Sequence, residues 1–374
     1  MTDVRVAVIG YGMMGRAHAY GYRAAPLIRP SDVHFVPVVM TGRHEEELVR
    51  AAGACGIPEW TTDWRDVLAR ADVDVIDICT PPGTHAEIAI AAAHAGKSVI
   101  CEKPLATTYH DAAAARDAVL AAGVHHAVGF NYRRLPALAL MAEMVAAGEL
   151  GEIQLWRGTW LSDEFSDPSV PFDWRFEANM GGTTIADLGS HLIDLATWMI
   201  GPIDEVVASS STFTGERSTP GGPRAVEVDE ASSSLIRFAS GVQGTFEVAR
   251  VAPRRPCDFV VEINGTKGTA VFSYNQLNEL WFGRVDDDPR LYGLRRIRTE
   301  HVLHPETQGW WPIGQGVGYD ASFINQTAAW AAAWPAGVWT PGFEQGAEVV
   351  AVCEAMARSA SERRWVPVRE VAGS

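Results

Sequence analysis

The sequence predicts an α/β chain of two domains, a doubly wound parallel sheet followed by an α+β domain with an open-faced, mostly antiparallel sheet. Three observations lead there. Residues 4–130 alternate short β-branched runs with longer Ala-rich helical patterns, the rhythm of βαβ units. The first of these strands runs directly into Gly10-Tyr11-Gly12-Met13-Met14-Gly15 and then a helix. Beyond residue 150 strands follow one another, and Asn264-Gly265 and Lys267-Gly268 mark a hairpin between alternating apolar runs.

In chain order, strands are predicted at 4–10, 34–41, 73–79, 98–102 and 125–130, with helices at 45–55, 86–95 and 109–122 between them. Gly96 and Gly123 close the last two helices, where a left-handed C-cap is needed. A helix at 137–147 precedes the change of rhythm. Strands at 153–161, 206–213, 231–238 and 242–251, and the hairpin of 259–263 with 269–274, form the second sheet. Segments 215–224 and 286–290, rich in Gly, Pro and charge, read as loops, and helices at 321–333 and 343–359 close the chain. A length of 374 residues suits two domains, divided as 1–130 and 131–374.

Net charge bounds the partners. At −15, with an isoelectric point near 5.2, the chain opposes a phosphate backbone or an anionic bilayer, so neither nucleic acid nor membrane is expected as a partner. Cys55, Cys79, Cys101, Cys257 and Cys353 are odd in number and far apart, without CxxC and without a Cys/His pair at zinc spacing. They read as thiols of a reducing compartment, and no metal site is predicted. The amino terminus enters a strand without a basic leader, and no apolar run reaches membrane-spanning length, so a cytoplasmic protein is expected.

The glycine turn gives the first functional site. Gly10 permits the tight turn, Gly12 lets backbone N–H groups at Met13 and Met14 approach a pyrophosphate, and Gly15 lets helix and strand pack closely. The second strand ends in Thr41-Gly42-Arg43 without the carboxylate that usually holds the adenosine ribose. Loss of that acid and a guanidinium in its place favour NADP(H); NAD(H), held through backbone contacts, is the alternative. At the carboxyl end of the next strand Thr80, Pro81, Pro82 and His85 line a nicotinamide pocket, where Thr84 is equally an N-cap.

Glu102-Lys103-Pro104 ends the following strand on the same cofactor edge. Lys103 there contacts a substrate hydroxyl; a surface salt bridge is the plainer reading. Asp187 and His191, four apart in a predicted helix, share one face. The imidazole moves a proton near neutral pH and the carboxylate orients it or binds substrate, unless the pair is a structural hydrogen bond or half of a metal site.

With these residues in view, the chain resembles the glucose-fructose oxidoreductase / inositol dehydrogenase / MocA family. GYGMMG, TPPGTH, CEKPL and DLGSHLIDLATWMIG carry the resemblance in that order over nearly the whole chain. It implies a Rossmann domain binding NAD(P), then a domain that binds substrate and makes oligomer contacts through its sheet, with substrate held between the two. It further implies that Lys103 and His191 are catalytic, that Asp187 orients or binds substrate, and that Lys103-Pro104 is a cis peptide. Phe130-Asn131-Tyr132-Arg133-Arg134, Asp173-Trp174-Arg175-Phe176 and Trp310-Trp311-Pro312 look most like its levoglucosan dehydrogenase-like sugar 3-dehydrogenase subgroup.

The expected activity is oxidation of a secondary ring hydroxyl of a sugar, anhydrosugar or cyclitol by hydride transfer to NAD(P), in a homo-oligomer, dimer or tetramer. His191 accepts the proton while Lys103 and Glu102 stand at the cofactor edge; Asn131, Tyr132, Arg133, Trp160, Trp174 and Arg175 are the candidate sugar contacts. The rivals are a glycosidase that retains its NAD, a nucleotide-sensing protein without activity, and a metal-dependent isomerase built on Asp187 and His191.

Overall fold

Strand β1 (Thr2–Ile9) is buried at every position from Val6 to Ile9, as a parallel strand covered on both faces must be. It lies at the centre of the first of two units into which the contacts of this computed structural model divide; residues 1–373 are described. After it come α1 (Met13–Ile28), β2 (Val33–Thr41), α2 (Glu45–Cys55), β3 (Glu59–Thr61), β4 (Val75–Ile78), α3 (His85–His94), β5 (Ser98–Cys101), α4 (Tyr109–Ala122) and β6 (His126–Val128). All six strands are parallel, in the order β3-β2-β1-β4-β5-β6. Strand order therefore reverses between β1 and β4, whose ends meet where the Cys79 N–H donates to the Ile9 carbonyl at 2.8 Å. Among these strands only β3 escaped the sequence reading, because three edge residues, two of them exposed, carry no period.

The second unit holds α5 (Pro136–Ala146), β7 (Ile153–Leu161), α6 (Ser190–Met199), β8 (Ile203–Ser211), β9 (Glu216–Thr219), β10 (Gly222–Ala225), β11 (Ala231–Phe238), β12 (Gln243–Ala249), β13 (Asp258–Gly265), β14 (Gly268–Ser273), β15 (Glu279–Arg284), β16 (Arg295–Arg298) and β17 (Val366–Pro367). Nine of these strands form one sheet, β16-β15-β14-β13-β7-β12-β11-β8-β17, antiparallel except for the parallel pair β7/β12. The hairpin predicted at Asn264-Gly265 is β13/β14, with Asn264 opposite Thr269. The segment 215–224, expected as a loop, is instead the separate hairpin β9/β10. Strict alternation along β11 and β12 buries Phe238, Phe246 and Val248 on one face and leaves Leu235, Arg237 and Thr245 on the other.

The chain then returns to the first unit. Helix α7 (Ala321–Ala333) packs on α1 where Gly21 meets the Phe323 carbonyl: a Cβ at Gly21 would come within 3.0 Å of that oxygen. Residues 308–310 and 317–347 therefore group with 1–134, because a late helix packs on an early one, a pairing that the expected contiguous division 1–130 and 131–374 does not describe. Helix α8 (Phe343–Glu362) follows. Among the described residues no helix is long and apolar enough to cross a membrane, and no disulfide joins the cysteines.

Candidate active-site elements

The glycine turn has the geometry its spacing predicts. Gly10 takes φ +112°, and a Cβ there would lie 2.5 Å from the Cys79 carbonyl oxygen. A Cβ at Gly15 would stand 1.9 Å from the Gly10 oxygen, whereas one at Gly12 would meet nothing within 4 Å. Gly12 is the N-cap of α1 and offers no side-chain cap, so the first-turn N–H groups of a 16-residue helix open onto free space. That cradle fits a dinucleotide pyrophosphate. Met13 is exposed and Met14 half-buried beside it.

At the end of β2 Thr41 is buried, Gly42 is covered by the Tyr11 ring, and Arg43 is exposed. The Tyr11 hydroxyl donates to Glu47 Oε2 at 3.0 Å. Glu45, Glu46 and Glu47 fill the first turn of α2, so Arg43 stands before three carboxylates.

The next two loops are tied together through buried imidazoles. Thr84 does not cap α3; its hydroxyl lies 2.7 Å from Thr80 Oγ1 and 2.9 Å from the Pro81 carbonyl, closing the turn on itself over the buried Pro82. The ring nitrogens of His85 lie 2.8 Å from the Thr80 and Pro104 carbonyls, so its polar atoms link the turn to the segment after Lys103 and are not available to a cofactor. Burial holds this imidazole below its ordinary range despite both carbonyls. Lys103–Pro104 is a cis peptide and Lys103 is half-buried. Glu102 is buried, with Oε1 2.9 Å from His18 Nε2 and Oε2 accepting the Lys103 N–H at 3.2 Å.

His18, Asp77 and Tyr22 complete this cluster and were missed in the sequence. The signal was Asp77 itself, a carboxylate inside the apolar strand β4. His18 Nδ1, an Asp77 oxygen and Cys79 Sγ lie within 4.8 Å of one another, the one such donor grouping among the described residues. A metal there would require Nδ1 and the thiol to lose their protons. Burial opposes charge on the ring, but Asp77 and Cys79 together outweigh it and hold the imidazole well above its usual range, while burial pushes the Cys79 thiol up. The donors are satisfied by one another and retain their protons.

In the second unit Asp187 lies on a π-helical turn, Ile185–Gly189, that precedes α6, rather than on the regular helix expected. Asp229 secures the start of that turn: its two oxygens accept the Thr184 and Ile185 N–H groups, each at 3.2 Å. Burial raises the Asp229 carboxyl to about 6. Arg250, fully buried, donates to Thr184 Oγ1 at 3.0 Å and to the Gly182 carbonyl at 2.6 Å, and reaches to 3.7 Å from Asp187 Oδ2. Neither Asp229 nor Arg250 was legible beforehand, since each is far in sequence from the turn it holds.

His191 is buried at the start of α6, and the Trp160 ring lies 5.4 Å from its own, with Phe259 behind Trp160 at 5.0 Å. Trp156, on the same face of β7, is wholly buried in the core. Half-buried Arg175 lies over the Trp174 ring at 4.6 Å and approaches Asp173 and Glu164 at 3.1 and 3.8 Å. Burial raises the Glu164 carboxyl, and the Asp187 charge adds to the effect, which ties Arg175 and Asp187 to one charged group. Asn131, Tyr132 and Arg133 form a buried 3₁₀ turn in the first unit. The Asn131 amide donates to Ser322 of α7 at 2.8 Å, and Tyr132 lies 5.9 Å from the Tyr319 ring.

Known proteins similar to this chain identify its family. Residues 4–130 match the model of the oxidoreductase family with an NAD-binding Rossmann fold, and residues 138–271 match the GFO/IDH/MocA C-terminal domain. Levoglucosan dehydrogenase of Pseudarthrobacter phenanthrenivorans is 37% identical over 99% of this chain and 100% of its own. The chain belongs to the glucose-fructose oxidoreductase / inositol dehydrogenase / MocA family. Another member, the inositol 2-dehydrogenase of Rhizobium meliloti, is 26% identical over 98% of this chain and 99% of its own. A solved structure of levoglucosan dehydrogenase in complex with NADH and levoglucosan superposes with a TM-score of 0.95 at 38% identity, covering 98% of this chain and 100% of that one. This family member is a nicotinamide-dependent oxidoreductase acting on CH–OH groups.

Proposed function

We propose that the protein oxidises a secondary ring hydroxyl of a sugar or anhydrosugar to a ketone, with NAD(H) as its cofactor. The observation that carries this reading is the Trp160 ring beside His191 at 5.4 Å. An aromatic face packs on the C–H face of a pyranose while a ring hydroxyl meets the imidazole. Full-length likeness to levoglucosan dehydrogenase supports an anhydrosugar among the substrates.

His191 takes the hydroxyl proton, and Lys103 donates to the reacting oxygen as negative charge develops there. Asp187, steadied by Arg250, binds a neighbouring hydroxyl or orients the base. When bound in the Gly10–Gly15 cradle, the dinucleotide supplies the acceptor for the hydride. Gly42-Arg43 alone favours NADP(H), but Glu45, Glu46 and Glu47 oppose a further phosphate beside that arginine. The NADH complexes of levoglucosan dehydrogenase, at 37% and 38% identity, support the same choice. The exposed, partly apolar face of the nine-stranded sheet supports a homo-oligomer, and the cysteines without disulfides support a cytoplasmic setting.

The test is absorbance at the reduced-nicotinamide band with sugars, anhydrosugars and cyclitols, each offered with NAD and with NADP. Reduction of NAD by anhydrosugars is expected. His191→Ala should lower kcat by about 10²–10⁴-fold and leave NADH binding intact; unchanged turnover removes His191 from the role of base. Free sugar released from a glycoside without net cofactor reduction would select the glycosidase instead.

A further inference from the structure

Lys103 is carried by a segment whose anchor lies deep in the first unit. Both ring nitrogens of His18 face carboxylates: Nδ1 is 3.0 Å from each Asp77 oxygen, and Nε2 is 2.9 Å from Glu102 Oε1. Carboxylates on both sides of the ring favour an N–H on each nitrogen, and Asp77 and Cys79 together hold the imidazole well above its usual range against burial. His18, Asp77 and Glu102 are 2%, 0% and 3% exposed, so their polar atoms must find partners within the protein.

The other groups facing His18 are Cys79 at the end of β4, Tyr22 one turn along α1, and the rings of Phe323 and Trp330 on α7 at 5.8 and 6.3 Å. The Tyr22 hydroxyl donates to Asp77 Oδ2 at 2.8 Å, and the Cys79 thiol lies 3.6 Å from Asp77 Oδ1. Each acid thus has a donor besides the ring, and for Glu102 that donor is the peptide N–H of Lys103. Gly129 leaves the space that this requires, since a Cβ there would stand 2.6 Å from Glu102 Oε1.

Stability alone does not account for such a cluster, because well-packed apolar residues often replace a buried ion pair without loss. What apolar residues cannot provide is a fixed acceptor beneath the backbone of Lys103. We propose that His18 is a positioning residue: by bridging Asp77 to Glu102 it fixes the Glu102 carboxylate under the Lys103 peptide N–H and so sets the place of the Lys103 ammonium. The inference rests on the reading above of Lys103 as donor to the reacting oxygen.

The two amide substitutions separate the two bonds of the ring. An asparagine reproduces a donor near Nδ1, towards Asp77; a glutamine reproduces one near Nε2, towards Glu102. The chain has three lysines, Lys97, Lys103 and Lys267, so competitive acetylation followed by peptide mass spectrometry reads Lys103 against the exposed Lys267 as internal reference. In the full-length protein, His18→Asn should change the Lys103 to Lys267 labelling ratio and lower kcat, each by about tenfold, with KM and NADH affinity within about twofold. His18→Gln should keep both readouts near wild type. Equal effects of the two variants, or an unchanged ratio in His18→Asn, overturn the proposal. Should His18→Asn fail to fold, Glu102→Gln takes its place: a changed ratio supports the proposal and an unchanged one rejects it. If wild type turns over no polyol, the substrate reading fails, while the labelling ratio still decides the role of His18.

Discussion

A carboxylate withdrawn from water has to be answered by its neighbours, as Asp77, Glu102 and Asp229 illustrate. Asp77 and Glu102 are answered by His18 in the first unit, and Asp229 in the second receives two backbone N–H groups near Arg250. Burial raises the folded Asp229 pKa from an ordinary 3.8 to about 6, so the folded state holds the extra proton between those values. Stability from this group is fully present below pH 4 and is lost as pH rises through 6, by about 3 kcal/mol. Denaturant midpoints of wild type should therefore fall relative to Asp229→Asn between pH 4 and 7; parallel curves would dismiss the effect. Arg250 makes a second case, because its planar fork serves Thr184, Gly182 and Asp187 together. Arg250→Lys cannot reach all three, and kcat should drop about tenfold or more while NADH binding is retained. A steady-state assay beside an NADH fluorescence titration checks this. Both residues escaped the sequence because pairing across more than forty positions leaves no local period.

Among elements, the glycine turn was the most legible, since its spacing is imposed by sterics at particular positions. A Cβ at Gly15 would collide with backbone at 1.9 Å, while one at Gly12 would enter empty space. Gly15→Ala should thus lower the thermal midpoint sharply. Gly12→Ala should melt with wild type yet bind NADH about tenfold more weakly, roughly 1.4 kcal/mol. Equal NADH affinity in a folded Gly12→Ala would remove the cradle from its assigned role. The helices α2 and α4 fell at their predicted bounds, with Gly123 in the left-handed conformation at φ +63°. The turn before α6 was predicted only as helix. Asp229 and Arg250 grip the start of this π-helical turn, contacts that spacing along the chain does not encode.

At the scale of the whole chain, a net charge of −15 disfavours nucleic-acid and anionic-membrane partners. The nine-stranded sheet leaves Leu155, Leu235 and Trp365 at 39%, 53% and 36% exposure on the face away from α5 and α6. A second copy of the chain is the proposed cover for that face. Wild type should scatter light as a dimer or tetramer, and Leu235→Glu should shift it towards monomer while the fold is kept. A monomeric wild type would end that assignment.

The sequence by itself determined the two-domain α/β and α+β plan, the dinucleotide turn, and the presence of Lys103, Asp187 and His191 in a recognisable order. Those features depend on local period, on glycine sterics and on short motifs, all written in neighbouring residues. Tertiary structure alone decided that α7 joins the first unit, that His85 binds two carbonyls, that Trp160 lies beside His191, and that His18 joins Asp77 to Glu102. Each of these is a meeting of residues distant along the chain, fixed by close packing and by the need of every buried polar group for a partner.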